Sequence, residues 1–399
     1  MVSYYSIPIF YKENDYMRAV VAIDSFKGSL STLEAGNAVR DGILRAYENA
    51  SVTVSPLADG GEGTVDAIVS SRGGEYVSVS VTGPLGSPAK ASYGLLRESR
   101  TAVIEMSSAA GITLIKDNER NPLYTTTYGV GEMIKHAIAT HGCRKFLIGI
   151  GGSATNDGGA GMLQALGFEL LDDEEKQIPK GAIGLSRLTK INIENAFPPL
   201  KECSFKIACD VQNPLCGELG CSAVYGPQKG ATPQMVADMD KWLSAYAELT
   251  QKALGKELSG FPGAGAAGGL GFAFLAYLNG ELESGIKMVI EATELEGLIR
   301  DADIVITGEG RLDSQSCMGK APVGVASSAK KFGKPVIALA GCVTDGAKAC
   351  NDHGIDAFFP ILKAPCTLEE AMDKTNAYRN LADTAEQCFR LLRIEDTRK

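Results

Sequence analysis

Hydrophobic residues near the start of the chain form short continuous runs that are separated by stretches with helical spacing. The run RAVVAID (18–24) is too short for a helix and suits a buried strand. Ser31 and Glu34 then form a capping-box pattern, after which apolar residues recur every three or four positions. A second apolar run, VTVSPL (52–57), and a second helical stretch follow. This strand–loop–helix repeat predicts a doubly wound, Rossmann-like parallel sheet.

The middle of the chain has a different pattern. Residues 75–81 and 89–96 alternate between apolar and polar, and the connecting turns are short, which favours antiparallel strands with one exposed face. Near the C-terminus the strand–loop–helix repeat returns. We therefore expect an α/β protein of two domains: a discontinuous Rossmann-like domain of residues 18–75 plus 290–399, and a mixed-sheet α/β domain of residues 76–289 inserted into it. Two domains that follow one another in sequence are the alternative.

Residues 1–17 precede the first predicted strand and lack the basic start and apolar run of a signal peptide. We interpret them as an N-terminal extension, since Met17 stands directly before that strand. No run in the chain approaches the ~18 apolar residues that a membrane span requires, so no membrane partner is expected.

Composition and charge narrow the classes of function. The hydrophobic share of 45% and the charged share of 22% are typical of a globular protein, and a net charge of -9 argues against nucleic acid as a partner. Ten cysteines are scattered without the close pairs of a zinc knuckle, and there are three histidines, so we expect reduced thiols of a cytoplasmic protein. Binding of a small anion stays open, because the field inside a pocket differs from the net charge.

The most informative stretch is KFLIGIGGSATNDGGAG (145–161), in which a buried-strand pattern runs into a glycine-rich loop and then into a helical pattern. Backbone amides in such a loop and at the following helix N-terminus favour an anion, which predicts phosphate or substrate binding. A tight connection that needs glycine only for positive φ angles is the alternative. The residues of interest in this loop are Gly151, Gly152, Ser153, Asn156 and Asp157.

Four further loops that contain acidic residues follow predicted strands: DSFKGS, LADGGEGT, CDVQNP and GEGRLDS. Because ligands of parallel sheets bind beyond the carboxyl ends of the strands, we expect these loops to share one active site. Carboxylates, cations and glycine amides together suit phosphoryl transfer, in which acids hold Mg²⁺ or orient a hydroxyl group and cations neutralise phosphate. For the aspartates, helix capping and turn closure are the alternatives. The candidates are Asp24, Ser25, Lys27, Asp59, Glu62, Asp210, Gly308, Glu309, Gly310, Arg311 and Asp313.

Known nucleotide-binding motifs give two partial matches. Gly263, Gly265 and Gly268 fit G-x-G-x-x-G, but no apolar strand precedes them, so this match is weak. The chain contains no Walker loop, but a G-x-G-x-x-A pattern at Gly149, Gly151 and Ala154 follows a predicted strand. Asp172 stands at the distance in sequence that is typical of a ribose contact. This pattern keeps an NAD-dependent hydroxy-acid dehydrogenase as an alternative function. Asp157 counts against it, because an unpaired carboxylate at that point repels a pyrophosphate.

Longer blocks of sequence carry a resemblance to a known family. In order along the chain stand DSFKGSL, PLADGGEGT, VTGPLG, IEMSSAAGI, GIGGSATNDGGAGMLQALG, ACDVQNPL, YGPQKGA, PGAGAAGGLG and ITGEGRLDSQ. From about residue 18 to its end, the chain resembles the glycerate kinase family of the bacterial type that produces 2-phosphoglycerate. The resemblance implies an ATP- and Mg²⁺-dependent kinase that acts on glycerate, with two α/β domains and the active site in the cleft between them. Cys317-Met318 is a departure, since many relatives have an isoleucine–histidine pair there.

We therefore expect a glycerate kinase that transfers the γ-phosphoryl group of ATP to a hydroxyl group of D-glycerate, with 2-phosphoglycerate as the favoured product. A non-catalytic sugar-acid-binding module is a further alternative, and a homo-oligomer is compatible with the sequence. Catalytic roles are expected of Asp157, Asp210 and Lys27. Substrate binding is expected of Asp24, Ser25, Asp59, Glu62, Arg311 and Asn156. ATP binding is expected of Gly151, Gly152, Ser153, Gly308, Glu309 and Gly310, and Mg²⁺ binding of Asp157 and Asp313.

Overall fold

The computed structural model describes residues 16–396 of the chain. The predicted N-terminal extension, residues 1–17, lies outside the described residues apart from Tyr16 and Met17. Within the described residues, no helix is both long enough and apolar enough to cross a membrane.

The first half of the chain is rich in strands. In chain order its elements are β1 (Arg18–Val21), α1 (Thr32–Ala46), β2 (Ser51–Val54), α2 (Thr64–Arg72), β3 (Glu75–Thr82), β4 (Pro88–Leu96), β5 (Thr101–Glu105), α3 (Ser107–Ala110), α4 (Tyr128–His141), β6 (Lys145–Gly149), α5 (Ala160–Ala165), β7 (Glu169–Leu171), α6 (Ala182–Leu185), β8 (Lys190–Asn192) and β9 (Ser204–Ala208).

The second half is richer in helix. Its elements are α7 (Cys221–Tyr225), α8 (Pro233–Leu254), α9 (Ala266–Tyr277), β10 (Glu281–Glu283), α10 (Gly285–Ala292), α11 (Leu295–Asp301), β11 (Ile304–Leu312), α12 (Ala321–Lys331), β12 (Val336–Val343), α13 (Ala349–Asp352), β13 (Ala357–Pro360), α14 (Leu368–Met372) and α15 (Lys374–Asp396).

The chain divides into two compact units. The first unit joins the segment up to Leu57 with the segment from Ile290 onward, and the second is the continuous segment Ala58–Val289. The division at Leu57 differs from the predicted boundary after residue 75. The reason is that α2 packs on strands of the second unit. A Cβ atom at Gly94 in β4 would lie 2.4 Å from the Cγ2 of Val69, so the absent side chain lets the helix and the strand approach closely.

The first unit contains a five-stranded, fully parallel sheet in the order β13-β12-β11-β1-β2. α1 begins at the predicted capping box, in which the Glu34 amide donates to the Ser31 hydroxyl group at 3.3 Å. A Cβ atom at Gly42 would lie only 2.1 Å from the carbonyl oxygen of Ala382, so the absence of a side chain at Gly42 allows α1 and α15 to pack closely. The predicted doubly wound parallel sheet is confirmed.

The second unit contains a six-stranded sheet in the order β10-β9-β6-β5-β4-β3. β3 and β4 pair antiparallel, as their alternating pattern predicts, and β4 also pairs antiparallel with β5, whereas β5, β6, β9 and β10 pair parallel. In the parallel half, Gly149 of β6 lies beside Ala208 of β9, so these two strands end at the same edge of the sheet. The predicted mixed-sheet α/β architecture is confirmed. Loops that follow β6 and β9 carry the candidate site of this unit.

Candidate functional site

A cavity of about 450 Å³ lies at the carboxyl ends of β6 and β9 in the second unit. Three loops that the sequence analysis singled out contribute to it, one from each of the blocks LADGGEGT, GGSATNDGG and CDVQNP. The lining residues are Asp59, Gly60, Gly61, Ile112, Ile150, Gly151, Gly152, Ser153, Ala208, Cys209, Asp210, Val211, Tyr225, Gln228, Lys229, Ala266 and Ala267.

Close backbone packing brings these loops together. A Cβ atom at Gly149 would lie 2.4 Å from the carbonyl oxygen of Gly60, and a Cβ atom at Gly60 would lie 2.5 Å from the Cβ of Ala208 and 2.6 Å from the Cα of Gly285. Gly60 also has a φ angle of 87°, in the left-handed region that favours glycine. The glycines at these positions therefore allow four chain segments to meet closely.

Two aspartates of this group line the same cavity. Asp59 accepts a hydrogen bond from the Gly61 amide at 3.2 Å, and Asp210 accepts one from the Gly285 amide at 3.1 Å. The pKa of Asp210 is raised, first because surrounding protein atoms desolvate its carboxyl group and also because the negative charge of Asp59 lies nearby. The Gly285 amide and the Ser284 hydroxyl group act in the opposite direction. A carboxylate with a raised pKa is a stronger base, which suits acceptance of a proton from a hydroxyl group.

Lys229 supplies a positive charge to this cavity, although its residue is only 3% exposed. Its Nζ atom donates to Oγ of Ser153 at 2.8 Å and to the carbonyl oxygen of Thr155 at 2.7 Å. Burial lowers the pKa of Lys229 to about 8, while Cys221 and Asp157 act in the opposite direction. A buried ammonium group beside a serine hydroxyl group is suited to hold a phosphoryl group.

Sequence reasoning did not single out Lys229. It ends a short 3-10 turn, Pro227–Lys229, in the YGPQKGA block, and Gly230 with a φ angle of 93° follows it. The block itself was part of the family resemblance, so the resemblance was the one signal that pointed to this lysine. No local pattern does so, because Ser153 is 76 residues away in sequence.

Asp157, for which catalytic and Mg²⁺-binding roles are predicted, does not face the cavity. It is fully buried and is not among the residues that line the cavity. Its carboxylate accepts hydrogen bonds from the Thr127 amide at 2.8 Å, from the Thr127 hydroxyl group at 2.9 Å, and from the amides of Gly159 at 3.1 Å and Gly161 at 3.2 Å. Burial raises its pKa, and the Thr127 and glycine donors oppose that shift. This environment contrasts with the predicted catalytic and Mg²⁺-binding roles and corresponds to a carboxylate that holds the loop together.

The same contacts change the interpretation of the helix that follows the loop. The amides at the start of α5 face an anion, as the pattern predicts, but this anion is the carboxylate of Asp157. Asn156 is likewise buried outside the cavity, where its amide group donates to Oγ of Ser222 at 2.8 Å. Of the loop candidates, the cavity is lined by Gly151, Gly152 and Ser153.

The environment of Asp172 does not match the ribose contact that a dinucleotide-binding protein would need. Asp172 is 3% exposed, and its carboxylate accepts hydrogen bonds from Arg187 at 2.7 Å and from the amides of Glu174 at 3.1 Å and Lys176 at 3.0 Å. The helix α5 begins only at Ala160, several residues after the G-x-G-x-x-A pattern. Both observations differ from a Rossmann fingerprint, in which the acid binds ribose and the glycines lead directly into the helix.

The remaining candidates of the first unit form a second group at the end of its parallel sheet. The amide of Asp24 donates to the carbonyl oxygen of Gly308 at 2.9 Å, and the amide of Ser25 donates to the Asp24 carboxylate at 2.7 Å. Lys27 is exposed in the same loop, next to Gly310. Glu62, in the second unit, is exposed before α2.

The carboxyl end of β11 and the turn after it belong to this second group. Gly308, Glu309, Gly310 and Arg311 lie within the strand, which runs to Leu312, and not in a loop that follows it as predicted. Oε1 of Glu309 accepts a hydrogen bond of 2.5 Å from the Ser316 hydroxyl group. Asp313 accepts from the amides of Gln315 at 2.8 Å and Ser316 at 3.3 Å, and its other oxygen lies 3.3 Å from Nε of Arg311. Both oxygens of Asp313 thus have protein partners, which leaves this carboxylate a poor match to its predicted Mg²⁺ role.

Mg²⁺ that arrives with a nucleotide needs one or two carboxylates in addition to phosphate oxygens. Within residues 16–396, no three His, Cys, Asp or Glu side chains are grouped as a metal site. Asp59 and Asp210 nevertheless place two carboxylates at one cavity, which fits the smaller donor set of a phosphate-bound ion.

A two-unit α/β fold whose cavity combines a buried lysine, a serine and two carboxylates has the parts of a phosphoryl-transfer enzyme. Comparison with known proteins specifies the class further. The family model described as "Glycerate kinase family" matches residues 19–393. The chain belongs to the glycerate kinase family, and the expectation of a kinase of this family is confirmed.

Individual relatives match over nearly their whole length. The glycerate kinase of Haemophilus influenzae is 47% identical over 94% of this chain and 99% of its own. The glycerate 2-kinase of Escherichia coli K12 is 47% identical over 95% of this chain and 98% of its own. The crystal structure of a putative glycerate kinase 2 from Salmonella typhimurium LT2 superposes with a TM-score of 0.88 at 46% identity, covering 96% of this chain and 100% of that one.

Proposed function

We propose that this protein is a glycerate kinase that transfers the γ-phosphoryl group of ATP to a hydroxyl group of D-glycerate. 2-Phosphoglycerate is the favoured product, since the Escherichia coli relative is named a glycerate 2-kinase. The observation that carries the proposal is the meeting of Lys229, Ser153 and Asp210 at one cavity in a chain of this family.

Lys229 and Ser153 bind the transferred phosphoryl group in this proposal. Because Nζ of Lys229 donates to Oγ of Ser153, the Ser153 hydroxyl hydrogen is directed to a different acceptor. A phosphoryl oxygen in the cavity is such an acceptor, and the ammonium group offsets its negative charge. In a site with little water, fixed donors of this kind stabilise the charge of the transition state.

Asp210 accepts the proton of the glycerate hydroxyl group as the phosphoryl group moves. Its raised pKa favours this role, and it replaces Asp157 as our choice because Asp157 is buried outside the cavity. The reaction needs no covalent intermediate on the protein, since phosphoryl transfer depends mainly on positioning and charge.

ATP is the phosphoryl donor in this proposal, and Mg²⁺ enters with it. When bound, Mg²⁺ neutralises charge on the phosphate oxygens, and Asp59 is the residue that we propose to hold it. The catalytic role of Lys27, the substrate-binding role of Arg311 and the roles of Gly308, Glu309 and Gly310 toward ATP stay predictions. A cytoplasmic location is supported by the ten cysteines, all of which are free.

A coupled assay of ADP release tests the proposal. The protein is supplied with Mg²⁺-ATP and D-glycerate, and in parallel with L-glycerate or other hydroxy acids. ADP release that depends on D-glycerate supports the proposal. Reduction of NAD by a hydroxy acid without ADP release would support the dehydrogenase instead, and ligand binding without turnover would support a binding module.

A further inference from the structure

The turn after β11 brings two thiol groups into contact. Sγ of Cys317 lies 3.0 Å from Sγ of Cys350, and both cysteines are free. Cys317 belongs to the 3-10 turn Ser316–Met318 and is half-buried, whereas Cys350 belongs to α13 and is fully buried. We propose that Cys317 and Cys350 form a reversible disulfide, which makes this turn a redox modification site.

The geometry is close to what a disulfide requires. The two cysteines are 33 residues apart in sequence, so the folded first unit is what brings them together. A disulfide bond is about 2.0 Å long, so the sulfur atoms have to approach each other by about 1 Å. Cys317 lies in a short turn rather than in a strand or a long helix, so a shift of that size need not break the hydrogen bonds of a sheet or of a long helix.

The two thiols have different parts in the reaction. Burial, followed by the hydrogen bond with Cys317, raises the pKa of Cys350 to about 12, so Cys350 keeps its proton in the reduced protein. The half-buried Cys317 is therefore the thiol that an oxidant reaches first. Cys350 then serves as the resolving thiol, because its sulfur already lies against Cys317.

A peroxide is the oxidant in this proposal. The Cys317 thiolate attacks one peroxide oxygen, the O–O bond breaks, and the released hydroxide takes up a proton to leave as water. The sulfenic acid that results on Cys317 is attacked by the Cys350 sulfur, the S–S bond forms, and the sulfenic hydroxyl group leaves with the Cys350 proton as a second water. In total two thiols and one hydrogen peroxide give one disulfide and two waters, and a dithiol reductant reverses the change.

The turn that would be modified is linked to predicted site residues. Ser316, the neighbour of Cys317, donates to Glu309 and accepts a hydrogen bond of 3.1 Å from the Asp313 amide. Moving Cys317 toward α13 pulls on Ser316 and therefore on both of these acidic residues. We expect the oxidised protein to lose kinase turnover, an effect that rests on the proposed function, whereas the disulfide itself does not.

The disulfide is tested directly by peptide mapping. The full-length reduced protein is treated with hydrogen peroxide, remaining thiols are alkylated, and the protein is digested without reductant for mass spectrometry. The expected result is a linked pair of peptides that contain Cys317 and Cys350, lighter by two hydrogen atoms than the sum of the free peptides, which disappears with dithiothreitol. Alkylation or overoxidation of Cys317 without the linked pair would overturn the proposal, as would preferential linkage of another pair such as Cys143 and Cys203.

Matched variants separate the site from general oxidative damage. Cys317→Ser removes the thiol that reacts first, and Cys366→Ser removes an exposed thiol elsewhere in the same unit. Peroxide should form the linked pair and lower glycerate kinase activity in the wild type and in Cys366→Ser. Dithiothreitol should then remove the linked pair and restore the activity of both proteins. If Cys317→Ser loses activity as quickly as the wild type, the proposed control of turnover is wrong. If no variant has kinase activity, the proposed function fails while the peptide map still decides on the disulfide.

Discussion

The ammonium group of Lys229 donates a hydrogen bond of 2.8 Å to the hydroxyl group of Ser153 in the wall of the second unit's cavity. A buried lysine without a substrate beside it is costly, because an ammonium group loses most of its hydration there. Its lowered pKa expresses this cost. Retaining a cation at such a place is reasonable in a site that binds an anion, since the incoming charge then compensates for the lost hydration.

Replacement of this lysine tests its role in the chemistry. We expect Lys229→Met to lower kcat by about 10²–10³-fold, the typical loss when one fixed donor to the transition state is removed. The thermal midpoint should stay the same or rise, because the variant removes a buried charge. Lys241→Met is the matched control on the exposed side of α8 and should leave both quantities unchanged. Wild-type kcat in Lys229→Met would contradict the proposed role.

The pH dependence of kcat/KM should show both titrating groups. Asp210 must be ionised to accept a proton, so activity falls on the acid side as pH drops through its raised pKa. Lys229 must be protonated, so activity falls on the alkaline side as pH rises through about 8. The pH profile of the residual activity of Lys229→Met checks this assignment. If kcat/KM of that variant still falls above about pH 8 as in the wild type, a group other than Lys229 causes the fall.

The same lysine has a separate effect on stability. Its pKa is about 8 in the folded state, against an ordinary value of 10.5. Between these two pH values the unfolded chain binds more protons than the folded protein does. The contribution of this group to the free energy of unfolding therefore rises with pH in that window. Chemical denaturation at several pH values should show this rise in the wild type and a flatter dependence in Lys229→Met. Equal slopes for the two proteins would contradict the lowered pKa.

Two aspartates that the sequence does not distinguish should respond differently to amide replacement. Asp210→Asn should lower kcat by about 10²–10⁴-fold with little change in thermal midpoint, as expected for loss of a general base. Asp157→Asn should instead lower the free energy of unfolding by about 1–3 kcal/mol, because an amide group cannot accept all of the hydrogen bonds that the carboxylate accepts. Folded Asp157→Asn should keep near-wild-type kcat. A stable Asp157→Asn protein without turnover would favour the catalytic role predicted from the sequence.

The close contact between β6 and the loop before α2 gives a steric test. Gly149→Ala places a methyl group 2.4 Å from the carbonyl oxygen of Gly60, so it should cost about 1–3 kcal/mol of stability and reduce activity. Gly297→Ala is the control, because a Cβ atom there meets nothing within 4 Å. This control, within α11, should be neutral or slightly stabilising. Circular-dichroism melting and the coupled assay check both variants, and equal behaviour would contradict the packing account.

The periodic pattern of the chain predicted the architecture well. The run from residue 18 and the repeat near the C-terminus read as strands of a parallel sheet, and β1 and β11 do pair in parallel. The alternating middle region predicted antiparallel strands, which β3 and β4 form. Such patterns depend on burial of one or both faces of an element, which each strand carries in its own residues.

The domain boundary and the roles of Asp157 and Lys229 could not be predicted from the periodic pattern. The position of α2 depends on strands that come later in the chain, so the local pattern grouped α2 with the first unit, whereas the observed division groups it with the second. The role of Asp157 depends on Thr127, which lies 30 residues earlier, and that of Lys229 on Ser153. Contacts between distant residues decide whether an acid faces a cavity or closes a loop, and sequence spacing does not record them.

The most direct test of the account is phosphorus NMR of a reaction mixture that contains the protein, Mg²⁺-ATP and D-glycerate. The account predicts that the γ-phosphate signal of ATP declines while a phosphomonoester signal grows with equal intensity. That signal should be a doublet, because the phosphorylated carbon of 2-phosphoglycerate carries a single proton, and with Lys229→Met it should grow about 10²–10³-fold more slowly under the same conditions. Formation of inorganic phosphate alone, or an unchanged ATP spectrum with the wild type, would contradict it.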